Sequence, residues 1–171
     1  MFDRIRKAVN REPDEPGELP AIPIEPIGVV RNNVHSTDRR DWSQLTSRIV
    51  LRPDLSPALL GLDGFSHILV LSWLHRIPDE VRGSKLQLHP RDDESYPLMG
   101  ILATRSQIRP NPIACTVVQL LEVKDNVLKV RGLDNIDGTP VLDLKPYVPH
   151  YDGPHATVPD WVWRPREEGK R

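Results

Sequence analysis

From Glu25 onward the chain breaks into short apolar or alternating runs separated by polar, proline-rich stretches. Pro26-Ile27-Gly28-Val29-Val30-Arg31 predicts a first strand and Ser47–Arg52 a second. Phe65–Trp73 is the most apolar run and predicts a central strand, followed by another at Leu98–Thr104. Ala114–Val123 and Val127–Gly132 predict a hairpin across Lys124-Asp125-Asn126. Val141–Leu144 is a short last strand, entered through the turn signal Asp137-Gly138-Thr139-Pro140. Between Asp54 and Gly61 the spacing predicts a single helical turn, with Asp54 or Ser56 as its N-cap, Pro57 just inside and Gly61 ending it. The sum is about seven short strands, almost no helix and no internal repeat. The expected fold is all-β, a small single-sheeted β-barrel with irregular loops, since closure removes exposed sheet edges. A Rossmann domain is disfavoured, because there is no Gly-rich phosphate loop and no strand–helix alternation.

Composition supports this reading. Eighteen prolines in 171 residues argue for loops between strands rather than helices. The expected organisation is a flexible Pro-rich tail over 1–23, one barrel domain over 24–150 and a C-terminal extension over 151–171. Formal net charge is −1, so any nucleic-acid surface must be a local patch. The single cysteine, Cys115, excludes an intramolecular disulfide and a Cys-rich zinc site. No apolar stretch approaches a spanning helix, and Arg4, Arg6 and Lys7 precede no apolar secretory core. The expected location is a reducing cytoplasm, with no membrane partner.

Residues 100–114 are the richest in candidate chemistry. An apolar run ends in Arg105 and Arg109 and a Pro-Asn-Pro unit, whose prolines fix their own φ and extend the residues before them. A stiff loop with two cations and no acid suits a carboxylate or phosphate, which guanidinium groups bind bidentately, or is a prolyl turn with solvated arginines. In 132–147, Asp134 and Asp137 either form turns or bond a ligand hydroxyl or amine, or act as a base. His67 is expected as a bonded core residue. His75, at the end of the central strand, is either a ligand contact or a surface histidine. Cys115 is expected to be a small buried hydrophobe. No histidine pair has convincing metal spacing, so no metal is expected. Arg31–Arg52 and Arg76–Arg91 are locally basic, fitting either RNA phosphates or an ordinary mixed-charge surface.

Four ordered blocks carry a family resemblance. They are Pro26-Ile27-Gly28-Val29-Val30, then Gly61-Leu62-Asp63-Gly64-Phe65-Ser66-His67, then Ala103-Thr104-Arg105-Ser106 with Arg109-Pro110-Asn111-Pro112-Ile113. The fourth is Gly132-Leu133-Asp134 with Asp137 through Tyr147. With these the chain resembles the TsaA-like, or YaeB-like, family of tRNA N6-threonylcarbamoyladenosine methyltransferases. The resemblance implies a dimeric β-barrel that binds S-adenosyl-L-methionine and methylates N6 of threonylcarbamoyladenosine at position 37 of tRNA. By position it implies cofactor contacts at His75, Arg76, Arg105, Cys115, Arg131, Gly132, Leu133 and Asp134. Asp137, Lys145 and Tyr147 are then the candidates for proton removal. Arg39, Arg40, Arg82, Arg91 and Arg109 are expected to meet the anticodon loop, with Trp42 stacking on a splayed base. The alternatives are a methyltransferase of the same fold acting on a small molecule or another RNA, and a non-catalytic S-adenosylmethionine-binding module.

Overall fold

The computed structural model describes residues 19–37, 41–153 and 155–163. Its strands are β1 (Gly28–Arg31), β2 (Thr46–Leu51), β3 (His67–Trp73), β4 (Gln87–Leu88), β5 (Met99–Gly100), β6 (Ile113–Lys124), β7 (Val127–Arg131) and β8 (Pro140–Pro146). Six of them close an antiparallel barrel in the order β1-β2-β7-β6-β3-β8, with β8 returning to β1. Strands β4 and β5 form a separate two-stranded ribbon. The all-β barrel expected from the sequence is therefore present.

Alternation along each strand fills the barrel. Val30, Ile49, Leu51, Ile68, Val70, Val118, Leu128, Val130 and Val141 point inward and form one buried cluster. Their neighbours Arg31, Arg48, Lys129 and Arg131 point out. Gly28 is required where β1 crosses β2, because a Cβ there would lie 2.5 Å from the Val50 carbonyl oxygen. The β1–β8 seam is the shortest, with Gly28 opposite Val141 and Val29 opposite Pro140.

Several elements differ from expectation. The apolar run Leu98–Thr104 is not a barrel strand: Met99–Gly100 pairs only with β4, and Ile101–Ala103 turns as a 3-10 helix. Only Ile101 of the run is buried, while Leu98 and Leu102 face solvent. The helical turn is a 3-10 segment over Pro53–Leu59 with no side-chain cap, so neither Asp54 nor Ser56 serves as one. His67 is exposed at the mouth of β3, bonded through Nδ1 to the Ser66 hydroxyl at 2.9 Å. Cys115 is exposed too, because the inward position on that stretch of β6 belongs to Thr116. Of the tail expected over residues 1–23, residues 1–18 lie outside the described residues, and Leu19–Pro23 are irregular and exposed. No helix among the described residues is long and apolar enough to cross a membrane.

Candidate functional site

Three loops meet at one end of the barrel: the connector after β1, the turn after β3 and the loop from β7 to β8. Gly132 ends β7 with φ +89°, a conformation disfavoured for any residue with a Cβ, and its N–H bonds the Leu45 carbonyl at 3.0 Å. Leu133 then packs into the core, which turns Asp134 outward. The Thr116 hydroxyl donates to Oδ1 of Asp134 at 2.5 Å. Asn135 is 2% exposed and donates through Nδ2 to the buried Ser72 hydroxyl at 2.5 Å. Its carbonyl accepts from Asn32 Nδ2, which also donates to Ser47. Asp137 takes the Asn32 N–H on Oδ1 at 2.9 Å and faces Arg31 with Oδ2 at 3.6 Å. These polar groups are hydrogen-bonded to one another, though the buried Asn135 Oδ1 has no partner among the described residues, and two loops are thereby linked.

The turn after β3 joins them. Leu74 donates its N–H to the Pro112 carbonyl at 2.8 Å, tying this turn to the prolyl loop. Arg76 donates through a terminal guanidinium nitrogen to the His35 carbonyl at 2.7 Å. Although His75 is exposed, partial desolvation by the surrounding loops, with the neighbouring Arg76 charge adding to it, shifts its imidazole below its ordinary pKa. Between the loops lies a cleft of about 400 Å3 lined by His35, Trp42, Leu74, His75, Arg76, Gln107, Asp134 and Ile136, among others. That volume is within the range of small-molecule sites. A second hollow, about 560 Å3, runs under Leu19–Ile24 beside Trp73 and Leu142 and has no charged lining residue.

The expected site residues divide. His75, Arg76, Asp134 and Trp42 line the cleft, with Gly132 and Leu133 shaping the loop that presents Asp134. Arg105 donates to the Cys115 carbonyl, so Arg105 and Asp134 are anchored on consecutive residues of β6. Arg131 points out from β7, with a terminal guanidinium nitrogen 3.4 Å from the Gln119 side-chain oxygen. Lys145 and Tyr147 lie at the far end of the barrel, because β8 runs antiparallel to β3 and Tyr147 bonds the His67 carbonyl. Lys145 lies opposite Leu69 and Tyr147 by His67, so four to six residues of β3, roughly 13–20 Å, separate them from the cleft. Asp143 lies 2.7 Å from the Lys145 ammonium and raises its pKa, which favours the charged form over a free base.

The expected basic face also changes. Arg82 stacks on Trp73, 5.0 Å from the ring centroid, and pairs with Asp79 at 2.5 Å. Arg91 lies over Tyr96 at 5.2 Å and bonds its hydroxyl at 2.6 Å. Both guanidinium groups are thus held by protein partners rather than presented freely. Arg109 is half-buried and makes no ion pair among the described residues, and Arg39 and Arg40 lie outside them. No group of three potential metal ligands occurs among the described residues.

Sequence reasoning did not single out His35, Gln107, Asn135 and Ile136 as cleft residues. For His35 the unusual length of the polar Asn32–Ser47 connector was the available signal, since long irregular connections are commonly functional.

A closed antiparallel barrel with a loop-built cleft over one end defines this protein as a small all-β barrel. Residues 35–153 match the tRNA-methyltransferase O N-terminal domain. A probable S-adenosyl-L-methionine-binding protein of Methanothermobacter thermautotrophicus is 39% identical over 135 residues, covering 77% of this chain and 93% of that protein. The tRNA (adenine(37)-N6)-methyltransferase of Escherichia coli is 44% identical over 96 residues, covering 54% of this chain and 40% of the enzyme. The crystal structure of TrmO from Pseudomonas aeruginosa superposes with TM-score 0.63 and 30% identity, covering 81% of this chain and 61% of that one. The chain spans 34% of a longer Archaeoglobus fulgidus relative, a probable S-adenosyl-L-methionine-binding protein that is 38% identical and covers 74% of this chain. This chain belongs to the tRNA-methyltransferase O family.

Proposed function

We propose that this protein is an S-adenosylmethionine-dependent tRNA methyltransferase acting on N6 of adenosine 37, and specifically on its threonylcarbamoyl derivative. The observation that carries the reading is the convergence of Asp134, His75, Arg76 and Trp42 on one cleft, in a chain of this family. The cleft fits the cofactor chemically: it offers a carboxylate for an amine or ribose hydroxyl, cations for a carboxylate and apolar walls for an adenine. Asp134 and Arg76 would hold the polar ends. Arg105, beside the same stretch of β6, is a further cation for the carboxylate. Bound S-adenosylmethionine would supply an electrophilic methyl group.

The chain's own residues then have the harder tasks. N6 of threonylcarbamoyladenosine is a ureido nitrogen whose lone pair is delocalised into a carbonyl, so it is a weak nucleophile until its proton is taken. Neutral His75 is the proton acceptor that the cleft presents at neutral pH. Trp42 stacks on the extruded base, as bases splayed from single-stranded loops commonly stack on aromatics. We assign Asp137 the shaping of the cleft, since Asn32 and Arg31 occupy its two oxygens. Lys145 and Tyr147 act outside this cleft. We read the protein as a two-fold homodimer, supported by the apolar outer face of β3 and β6, where Val117 is 46% exposed beside Leu69.

The test is incubation of purified protein with S-adenosylmethionine and tRNA bearing threonylcarbamoyladenosine, followed by nucleoside mass spectrometry. The reading requires a gain of one methyl group on that nucleoside. Methylation of a small amine instead, or cofactor binding without turnover, would overturn it.

A further inference from the structure

The outer wall of the barrel carries a charge pattern whose centre, Arg48 and Lys129, neither the core nor the cleft uses. Arg31 on β1 stands directly opposite Arg48 on β2, and Arg48 directly opposite Lys129 on β7. All three side chains point outward, because Val30, Ile49, Leu128 and Val130 beside them fill the core. Arg131 follows two residues further toward the cleft, opposite Thr46. Neighbouring strands are about 5 Å apart, so three cations occupy about 10 Å of one transverse row. Directly opposed like charges destabilise a sheet. Three acids lie by the row: Asp137, 3.6 Å from Arg31; Glu122, opposite Lys129 in the β6–β7 register; and Asp125, which with Lys124 lines a hollow beside Arg48 and Lys129. Arg48 and Lys129 make no ion pair among the described residues.

The row also has a direction. Arg31 leads into the connector that holds His35 and Trp42, and Arg131 leads into Gly132 and Asp134. The basic wall is therefore continuous with the rim of the cleft. A polyanion lying on it would meet the cleft at its upper end.

We propose that the outer face of β1, β2 and β7, centred on Arg48 and Lys129, is a phosphate-binding track that seats the RNA backbone and delivers the target base to the cleft. This rests on the reading that the substrate is tRNA. The partner is identified by charge complementarity: successive phosphates match a row of cations in which Arg48 and Lys129 make no ion pair among the described residues, while Arg31 is paired with Asp137, and the contact is independent of sequence. The track takes Arg31 and Arg48 from the expected Arg31–Arg52 basic window, but not Arg82 and Arg91, which are held by Trp73, Asp79 and Tyr96.

The experiment measures binding of tRNA to full-length protein between about 50 and 200 mM potassium chloride, where counterion release dominates. The variant R48Q/K129Q should bind about tenfold more weakly at the low-salt end, and its slope of log affinity against log salt should fall by about 1.5 units. Glu122→Gln, which removes the acid opposite Lys129, should tighten binding. The melting temperature of R48Q/K129Q should hold or rise, because like-charge repulsion is relieved, and S-adenosylmethionine affinity should not change. A variant that binds tRNA with the wild-type affinity and slope overturns the track. Wild-type protein that binds no tRNA overturns the track together with the substrate. Wild-type protein that binds tRNA through these residues without methylating it leaves the track standing and removes the catalytic reading alone.

Discussion

The Thr116 hydroxyl of β6 donates to Oδ1 of Asp134 across 2.5 Å and fixes the carboxylate of the β7–β8 loop against the barrel wall. Thr116 is an inward position near the end of the barrel, while Asp134 belongs to the cleft, so one bond links core to site. Thr116→Val removes the donor and keeps the shape. It should weaken S-adenosylmethionine binding by about 1 kcal/mol, roughly fivefold, the usual worth of one hydrogen bond. Calorimetry on the two proteins checks this; equal affinities would mean that Asp134 needs no anchor.

Arg105 is held on the Cys115 carbonyl, one residue from that anchor. Arg105→Ala should weaken cofactor binding by about 1.5–3 kcal/mol, the range for a hydrogen bond to a charged group. Unchanged affinity in the same titration would remove Arg105 from the site.

His75 carries a pH signature. Partial desolvation and the Arg76 charge lower its pKa in the folded protein below the unfolded value of about 6.5, so the unfolded chain binds the extra proton more readily. Its contribution to stability is full above that pH and is lost as pH falls through the folded pKa. Wild-type melting temperature should therefore drop more steeply than that of His75→Gln between about pH 7 and pH 5. Parallel melting curves against pH would show that His75 titrates as it does in the unfolded chain.

Much of the barrel was legible because its signal is periodic. The β6–β7 hairpin and β3 follow from runs whose alternate positions are buried in the closed sheet. Leu98–Thr104 has the same local composition, yet Leu98 and Leu102 find no facing layer, and apolar content alone does not say whether one exists. The site was readable in part. Asp134 and His75 stood out as titratable groups beside predicted strand ends. The loss of Arg82 and Arg91 from the free basic face depends on Trp73 and Tyr96 lying under them, a tertiary relationship that a charge count does not contain.

Gly28 gives a stability test of the barrel independent of function. A methyl group there would lie 2.5 Å from the Val50 carbonyl oxygen and 2.8 Å from the Leu51 Cα, both backbone atoms. Gly28→Ala must push β1 off β2 and should cost about 1–3 kcal/mol, as overpacking does. Urea unfolding measures it; wild-type stability would show that β1 moves freely.

The homodimer is tested by light scattering. Protein at working concentration should scatter as twice the 19.5 kDa chain mass, and Val117→Asp, on the apolar outer face, should halve it. A wild-type species at the single-chain mass would refute the dimer.

The short β1–β8 seam makes the barrel a curved sheet fastened by a clasp. Gly28 and Val29 are its register positions, flanked by backbone bonds from Ile27 to Val141 and between Val30 and Thr139 and Gly138, and the loops on either side, from Asn32 and from Asp134, build the cleft. Thermal opening would begin where the fastening is shortest, so backbone amides along β1 and the start of β8 should exchange with solvent ahead of those in β3 and β6. The wall nearest the cleft would then be the part of the molecule that breathes, and a ligand bridging its two loops would slow that exchange from a distance.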